Sequence, residues 1–85
     1  MKPIRLSRHA CENMTFRGAT EEEVVEAIRR AEWQPAERGR FDCRWEFPFG
    51  RDWNGHRYSS KQVRPVFVDE PAEIVVVTVY VYYVP

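Results

Sequence analysis

Three polar residues recur every four positions near the start of the chain: His9, Asn13 and Arg17, within the stretch SRHACENMTFRG. On a helix that spacing aligns them in one row. An imidazole, a carboxamide and a guanidinium together can move a proton, orient a polar group and hold an anion. The helical wheel puts Asn13 and Arg17 between or beside the apolar stripe of Leu6, Ala10 and Met14. His9 and Phe16 flank the stripe, and Ser7, Arg8, Glu12 and Thr15 are left for solvent. Polar groups at the margin of a buried face cost on the order of 1–3 kcal/mol each unless they are paired. The row therefore needs partners elsewhere in the fold, or a substrate. An ordinary network tying the helix to a sheet is the alternative.

The elements that position this row follow from local signals. Ser7 is an N-cap and Gly18 a C′ residue for a first helix of about three turns. Thr20 followed by Glu23 is a capping box for a second helix. On that helix Val24, Val25, Ala27, Ile28 and Ala31 fall on one face, and Glu22, Glu26 and Arg30 on the other, which reads as packing with no catalytic role. After PAERGR the period changes to two: Phe41, Cys43, Trp45, Phe47 and Phe49 alternate with Asp42, Arg44 and Glu46 as an amphipathic strand. Pro48 marks its end as an edge, and Asn54-Gly55 is a hairpin turn. VRPVFV and IVVVTVYVYYV then form a second hairpin across DEPAE. The expectation is α+β: two N-terminal helices packed on a four-stranded, mostly antiparallel sheet, with or without a short leading strand from PIRL, as a single domain over residues 1–85.

The last strand has two chemically different faces. Alternation puts Val75, Val77, Val79 and Val81 on one, suited to packing under the helices. The other carries Ile74, Val76, Thr78, Tyr80 and Tyr82, with three hydroxyls. A three- or five-residue DEPAE loop pairs Arg64 with Thr78 on the hydroxyl face, whereas a four-residue loop pairs it with Val79, facing the core. The cost of an unpaired buried guanidinium favours the odd loop.

Composition sets the class. Hydrophobic residues at 44% and charged residues at 31% describe a folded globule rather than a disordered chain. The opening residues lack the apolar segment of a secretion signal, and the longest apolar run is too short for a membrane helix, so a cytoplasmic protein with no membrane partner is expected. Cys11 and Cys43 then read as reduced thiols. Net charge is zero but segregated: residues 1–20 and 38–64 are basic, whereas 21–37 and 65–85 are acidic. The two basic segments could meet in space as one positive surface.

The stretches LSRHACENMTFRGATEEEVVEAI and RPVFVDEPAEIVVVTVY together resemble a bacterial family of small domains of unknown function. Its members open with a Ser-x-His-Ala helix and a following Arg-Gly, and close with a hairpin ending in a Thr-Val-Tyr strand. The family is similar in outline to the RelE-like toxins and, more remotely, to the barnase, EndoU and colicin-type ribonucleases. The resemblance covers roughly residues 4–31 and 63–82, and the matching positions are His9, Ala10, Arg17, Gly18, Arg64, Thr78 and Tyr80. It implies the toxin half of a toxin–antitoxin pair, a metal-independent ribonuclease with RNA as substrate and an antitoxin as protein partner. Residues 32–62 lie outside it.

RNA cleavage without a metal needs a base for the ribose 2′-hydroxyl, an acid for the leaving 5′-oxygen and cations on the phosphate. Under the resemblance His9 supplies acid–base chemistry, Arg17 and Arg64 hold the phosphate, and Thr78 and Tyr80 donate hydrogen bonds. Asn13 lies on the substrate side, and Tyr80 or Trp53 stacks on a base. His56 is either a second acid–base group or an exposed turn residue, and Lys61 a further phosphate contact. No cofactor is expected, and His9, Cys11, Cys43 and His56 lack metal-ligand spacing. Against an enzyme stand the zero net charge, the absence of Lys or Arg from the last strand, and a geometric difficulty: a helix on one sheet face reaches the other only over an edge. The alternative is a non-catalytic module of the same fold, binding a protein or nucleic acid through an aromatic surface that includes Trp33, Trp45 and Trp53. Convergence of His9, Arg17, Arg64 and Thr78 in one cleft would favour the enzyme, and dispersal the module.

Overall fold

The computed structural model describes residues 2–85. Strand β1 (Ile4–Leu6) leads into helices α1 (Arg8–Arg17) and α2 (Glu21–Arg30), followed by two short strands, β2 (Gln34–Pro35) and β3 (Phe41–Asp42). Three long strands complete the chain: β4 (Trp45–Trp53), β5 (His56–Asp69) and β6 (Ile74–Val84). The class is α+β, as expected.

Both helices begin, and α1 also ends, where their capping residues stand. The Ser7 hydroxyl accepts from the Ala10 N–H, and Gly18, at φ 81°, donates its N–H to the Met14 carbonyl. Thr20 and Glu23 form the reciprocal capping box of α2. Each helix buries one stripe: Ala10 and Met14 from α1, and Val24, Ala27 and Ile28 from α2. On the solvent side of α2, Glu26 pairs with Arg30 at 3.5 Å.

The sheet has six strands and is mixed, a correction to the expected four-stranded, mostly antiparallel sheet. Strand β5 is its spine, pairing with β6 along one side and with β4 and then β3 along the other. β2 adds to β3, and β1 pairs parallel with β6, placing Ile4 opposite Ile74 and Leu6 opposite Val76. The alternation from Phe41 onward holds for side-chain direction, but the pairing breaks at Cys43–Arg44 and separates β3 from β4. β4 pairs only with β5, so Pro48 does lie on an edge strand. Asn54 and Gly55, with φ of 51° and 82°, close the β4–β5 hairpin with the two positive angles that a primed turn requires.

The turn between β5 and β6 corrects a second expectation. Asp69 pairs with Ile74, leaving the four residues Glu70–Glu73 in the connection. Uninterrupted, that even loop would set Arg64 opposite Val79. A bulge prevents it: Val66 lies opposite Thr78 but Phe67 opposite Val76, so Val77 is the extra residue and Arg64 lies opposite Tyr80. The guanidinium thus keeps to the polar face through the bulge rather than through an odd loop. The same bulge swaps the expected faces of the first residues of β6. Ile74 and Val76, not Val75 and Val77, pack under the helices with Val79 and Val81, while Thr78, Tyr80 and Tyr82 face the other way. The core between helices and sheet centres on Phe67, Ile28, Ile74, Val63, Val76 and Val79, each at most 1% exposed.

Candidate functional site

The polar row of α1 meets the sheet at its edge. β1 covers β6 only as far as Val76, and beyond that the outer backbone groups of β6 need other partners. Ser7 takes the first turn of this edge, its N–H donating to the Val76 carbonyl at 2.9 Å. The Asn13 carboxamide oxygen accepts from the Thr78 hydroxyl and from the Val79 N–H, and Arg17 donates to the Val79 carbonyl at 2.8 Å. Asn13 and Arg17 thus stand in for a missing strand, and part of the row is explained by this edge capping alone.

Arg17 also reaches past the edge toward the other face. Its guanidinium carbon lies 4.9 Å from the centroid of the Tyr80 ring. From the neighbouring strand, the Arg64 guanidinium lies 5.4 Å from the same centroid. Tyr80 therefore stands between a cation from β5 and a cation that comes over the free edge of β6. Arg64 is anchored in turn: it donates to Asp42 at 2.7 Å and to the Tyr82 hydroxyl at 3.3 Å. The Asp42 hydrogen bond pushes the Arg64 pKa further up, so the group is permanently charged. Its Nε is buried without a hydrogen-bond partner among the described residues, so any outward contact of this guanidinium falls to its two terminal nitrogens.

These residues border an open pocket of about 440 Å³, lined by Arg64, Thr78, Tyr80 and Asp42 together with Arg38 and Arg40 from the loop between β2 and β3. Three of the five residues expected to be catalytic (Arg64, Thr78 and Tyr80) line it, and Arg17 touches it through the Tyr80 ring. His9 does not line it. It is exposed, in the first turn of α1, one turn before Asn13 along the same row. Sequence reasoning missed Asp42, Arg38 and Arg40. Asp42 was visible only as one charge in the outward half of an alternating strand, and the two arginines sit in a stretch with no periodicity.

The residues expected to bind substrate disperse. Asn13 is at the β6 edge. Lys61 is 3% exposed on the helix side of the sheet, paired with Glu23 at 2.9 Å and donating to the Gly18 carbonyl at 2.7 Å. Trp53 stacks on Tyr83 with ring centroids 5.1 Å apart, and the Tyr83 hydroxyl donates to the Arg17 carbonyl at 2.7 Å. Lys61 and Trp53 therefore fasten the end of α1 to the sheet, away from the Arg64 pocket. A Cβ on Gly18 would lie 2.5 Å from the Tyr83 oxygen, so both the backbone angle and the space require glycine there. His56 is exposed beside the hairpin turn, paired with Trp53 across it. Both cysteines are free. Burial pushes the Cys43 thiol up to about 12, and Cys11 is exposed. Among the described residues no cluster of three or more His, Cys, Asp or Glu suited to a metal ion occurs, and no helix is long and apolar enough to cross a membrane. No family model matches this chain, and it has no match among curated proteins or solved structures.

Proposed function

We propose that the open face around Tyr80 is an RNA site and that the protein acts as a toxin-like, metal-independent ribonuclease with RelE-like relatives. The observation that carries this reading is the set of two guanidiniums about one exposed tyrosine, at 4.9 and 5.4 Å from its ring, beside a pocket open to solvent. Guanidiniums held by fixed partners, with donors to spare, can stabilise the charge that builds on a phosphorane-like transition state. In the cleavage, the ribose 2′-oxygen loses its proton to a base and attacks phosphorus. The bond to the 5′-oxygen breaks, leaving a 2′,3′-cyclic phosphate, and the departing 5′-oxygen takes a proton from an acid to become a hydroxyl. His9 is the imidazole of this row, the side-chain type suited to general acid–base work, and its exposure leaves it accessible to a strand that extends along α1. Arg17 comes over the β6 edge and Arg64 from β5, which suits adjacent positions on one strand better than the joint grip on one phosphate that the resemblance implies. An acidic antitoxin that covers this face belongs to the same proposal.

One observation favours the second reading, a binding module without catalysis: His9 lies outside the pocket lining. Induced expression of the wild type beside His9→Ala and Tyr80→Ala, with total RNA examined, separates the two. Growth arrest with RNA cleavage that both substitutions abolish supports the ribonuclease. RNA that stays intact, with the protein folded, leaves the binding module.

A further inference from the structure

We infer that the loop Ala36–Arg40 is the phosphate clamp of this face, with Arg38 and Arg40 as the cations that receive the RNA backbone. The inference rests on the open face being the RNA site, and it assigns roles in a segment that the family resemblance does not reach. The starting point is the charge inventory of the pocket. Arg64 already faces Asp42 at 2.7 Å, so much of its field is answered within the protein. Arg17 has committed one nitrogen to the Val79 carbonyl. Arg38 and Arg40 line the same pocket and have no carboxylate within ion-pair distance among the described residues. Glu37 lines it as well, so with Arg64 offset by Asp42 the loop's two arginines and one glutamate leave one excess positive charge at the pocket.

The loop is built to hold those two side chains at the rim. The Ala36 N–H donates to the Arg40 carbonyl at 2.8 Å, and the Arg40 N–H to the Glu37 carbonyl at 3.2 Å, closing it on itself. Arg38 has a φ of 61°, in the left-handed region where a side chain is disfavoured, and Gly39 follows at 72°. Glycine at position 38 would remove that strain, yet a long cation stands there beside the pocket. Strain retained next to a site is the pattern expected of a residue placed for a ligand.

The test uses a single-stranded RNA carrying 2′-O-methyl groups, which cannot be cleaved because the attacking hydroxyl is blocked. Binding is followed by fluorescence anisotropy over a range of salt. Arg38→Gly removes the charge while relaxing the backbone, and Arg40→Gln removes the second. Each is expected to weaken binding about threefold to tenfold and to lower the slope of log affinity against log salt by about 0.7, the value for one phosphate on a single strand. Arg29→Gln, on the exposed side of α2, serves as the surface-charge control and is expected to bind as the wild type does. If Arg38→Gly and Arg40→Gln bind like the wild type while Arg17→Gln and Tyr80→Ala bind weakly, the clamp is overturned and the open-face reading stands. If the wild type binds no RNA, both fall together.

Discussion

Two clusters on opposite faces of the sheet are assembled from the same kinds of side chain. On the helix face, Lys61 pairs with Glu23 at 2.9 Å, beside Tyr83 and Trp53. On the open face, Arg64 pairs with Asp42 at 2.7 Å, beside Tyr80 and Tyr82. Their exposure differs: the Lys61 side chain is 4% accessible and that of Arg64 is 24%. Lys61 spends its donors on the Gly18 carbonyl and the capping-box glutamate, so it ends a helix. Arg64 is held just as firmly but faces a pocket. A cation, a carboxylate and a tyrosine in contact therefore do not by themselves mark a site; the space in front of them decides.

That contrast can be broken by removing each cation in turn. Lys61→Met leaves Glu23 without its partner and the Gly18 carbonyl without its donor. It is expected to cost about 3 kcal/mol in urea unfolding, with part regained in the double variant with Glu23→Gln. Gly18→Ala, in the same cluster, adds a methyl against Tyr83 and Trp53 at positive φ and should cost about 2 kcal/mol. Arg64→Met is the matching change on the open face. Arg64 itself is 24% accessible, but the Asp42 it leaves behind is buried, so the loss should be about 2 kcal/mol, and Asp42→Val in the same chain should recover most of it. RNA cleavage should not return in that double variant, which separates the pair's structural role from its role in the site. The smallest effect is chemical: at pH 8 a thiol reagent should label Cys11 in the folded protein and spare Cys43, whose thiol burial holds up to about 12. Labelling of both thiols at equal rates would show that the face of α2 over Cys43 opens.

How much of this was legible in the sequence depended on the range of the signal. Ser7, Gly18, Thr20 with Glu23, and Asn54-Gly55 act within four residues, and each stands where its local chemistry places it. Strands β2 and β3 have two residues each, too few to show a period, whereas the short leading strand that PIRL offered is present as β1. β1 exists because Ile4 and Leu6 find β6 in tertiary space. The bulge at Val77 was hidden for another reason: IVVV, residues 74–77, is apolar on both parities, so no alternation reports which residue is the extra one. The polar face was nevertheless readable, because burying Arg64 unpaired would be expensive and the fold avoids that in whatever way its loop allows. Asp42, Arg38 and Arg40 join that face through long-range pairing of β3 with β5 and through an aperiodic loop, and neither leaves a mark in sequence spacing.

The most direct test is cleavage of a single-stranded RNA by the purified protein in the presence of a metal chelator, with the ends of the products identified. The open-face account predicts fragments ending in 2′,3′-cyclic phosphate from the wild type, and none from Tyr80→Ala or from the Arg64→Met and Asp42→Val pair while both remain folded. Intact RNA with the wild type, or cleavage that persists in both variants, would contradict it.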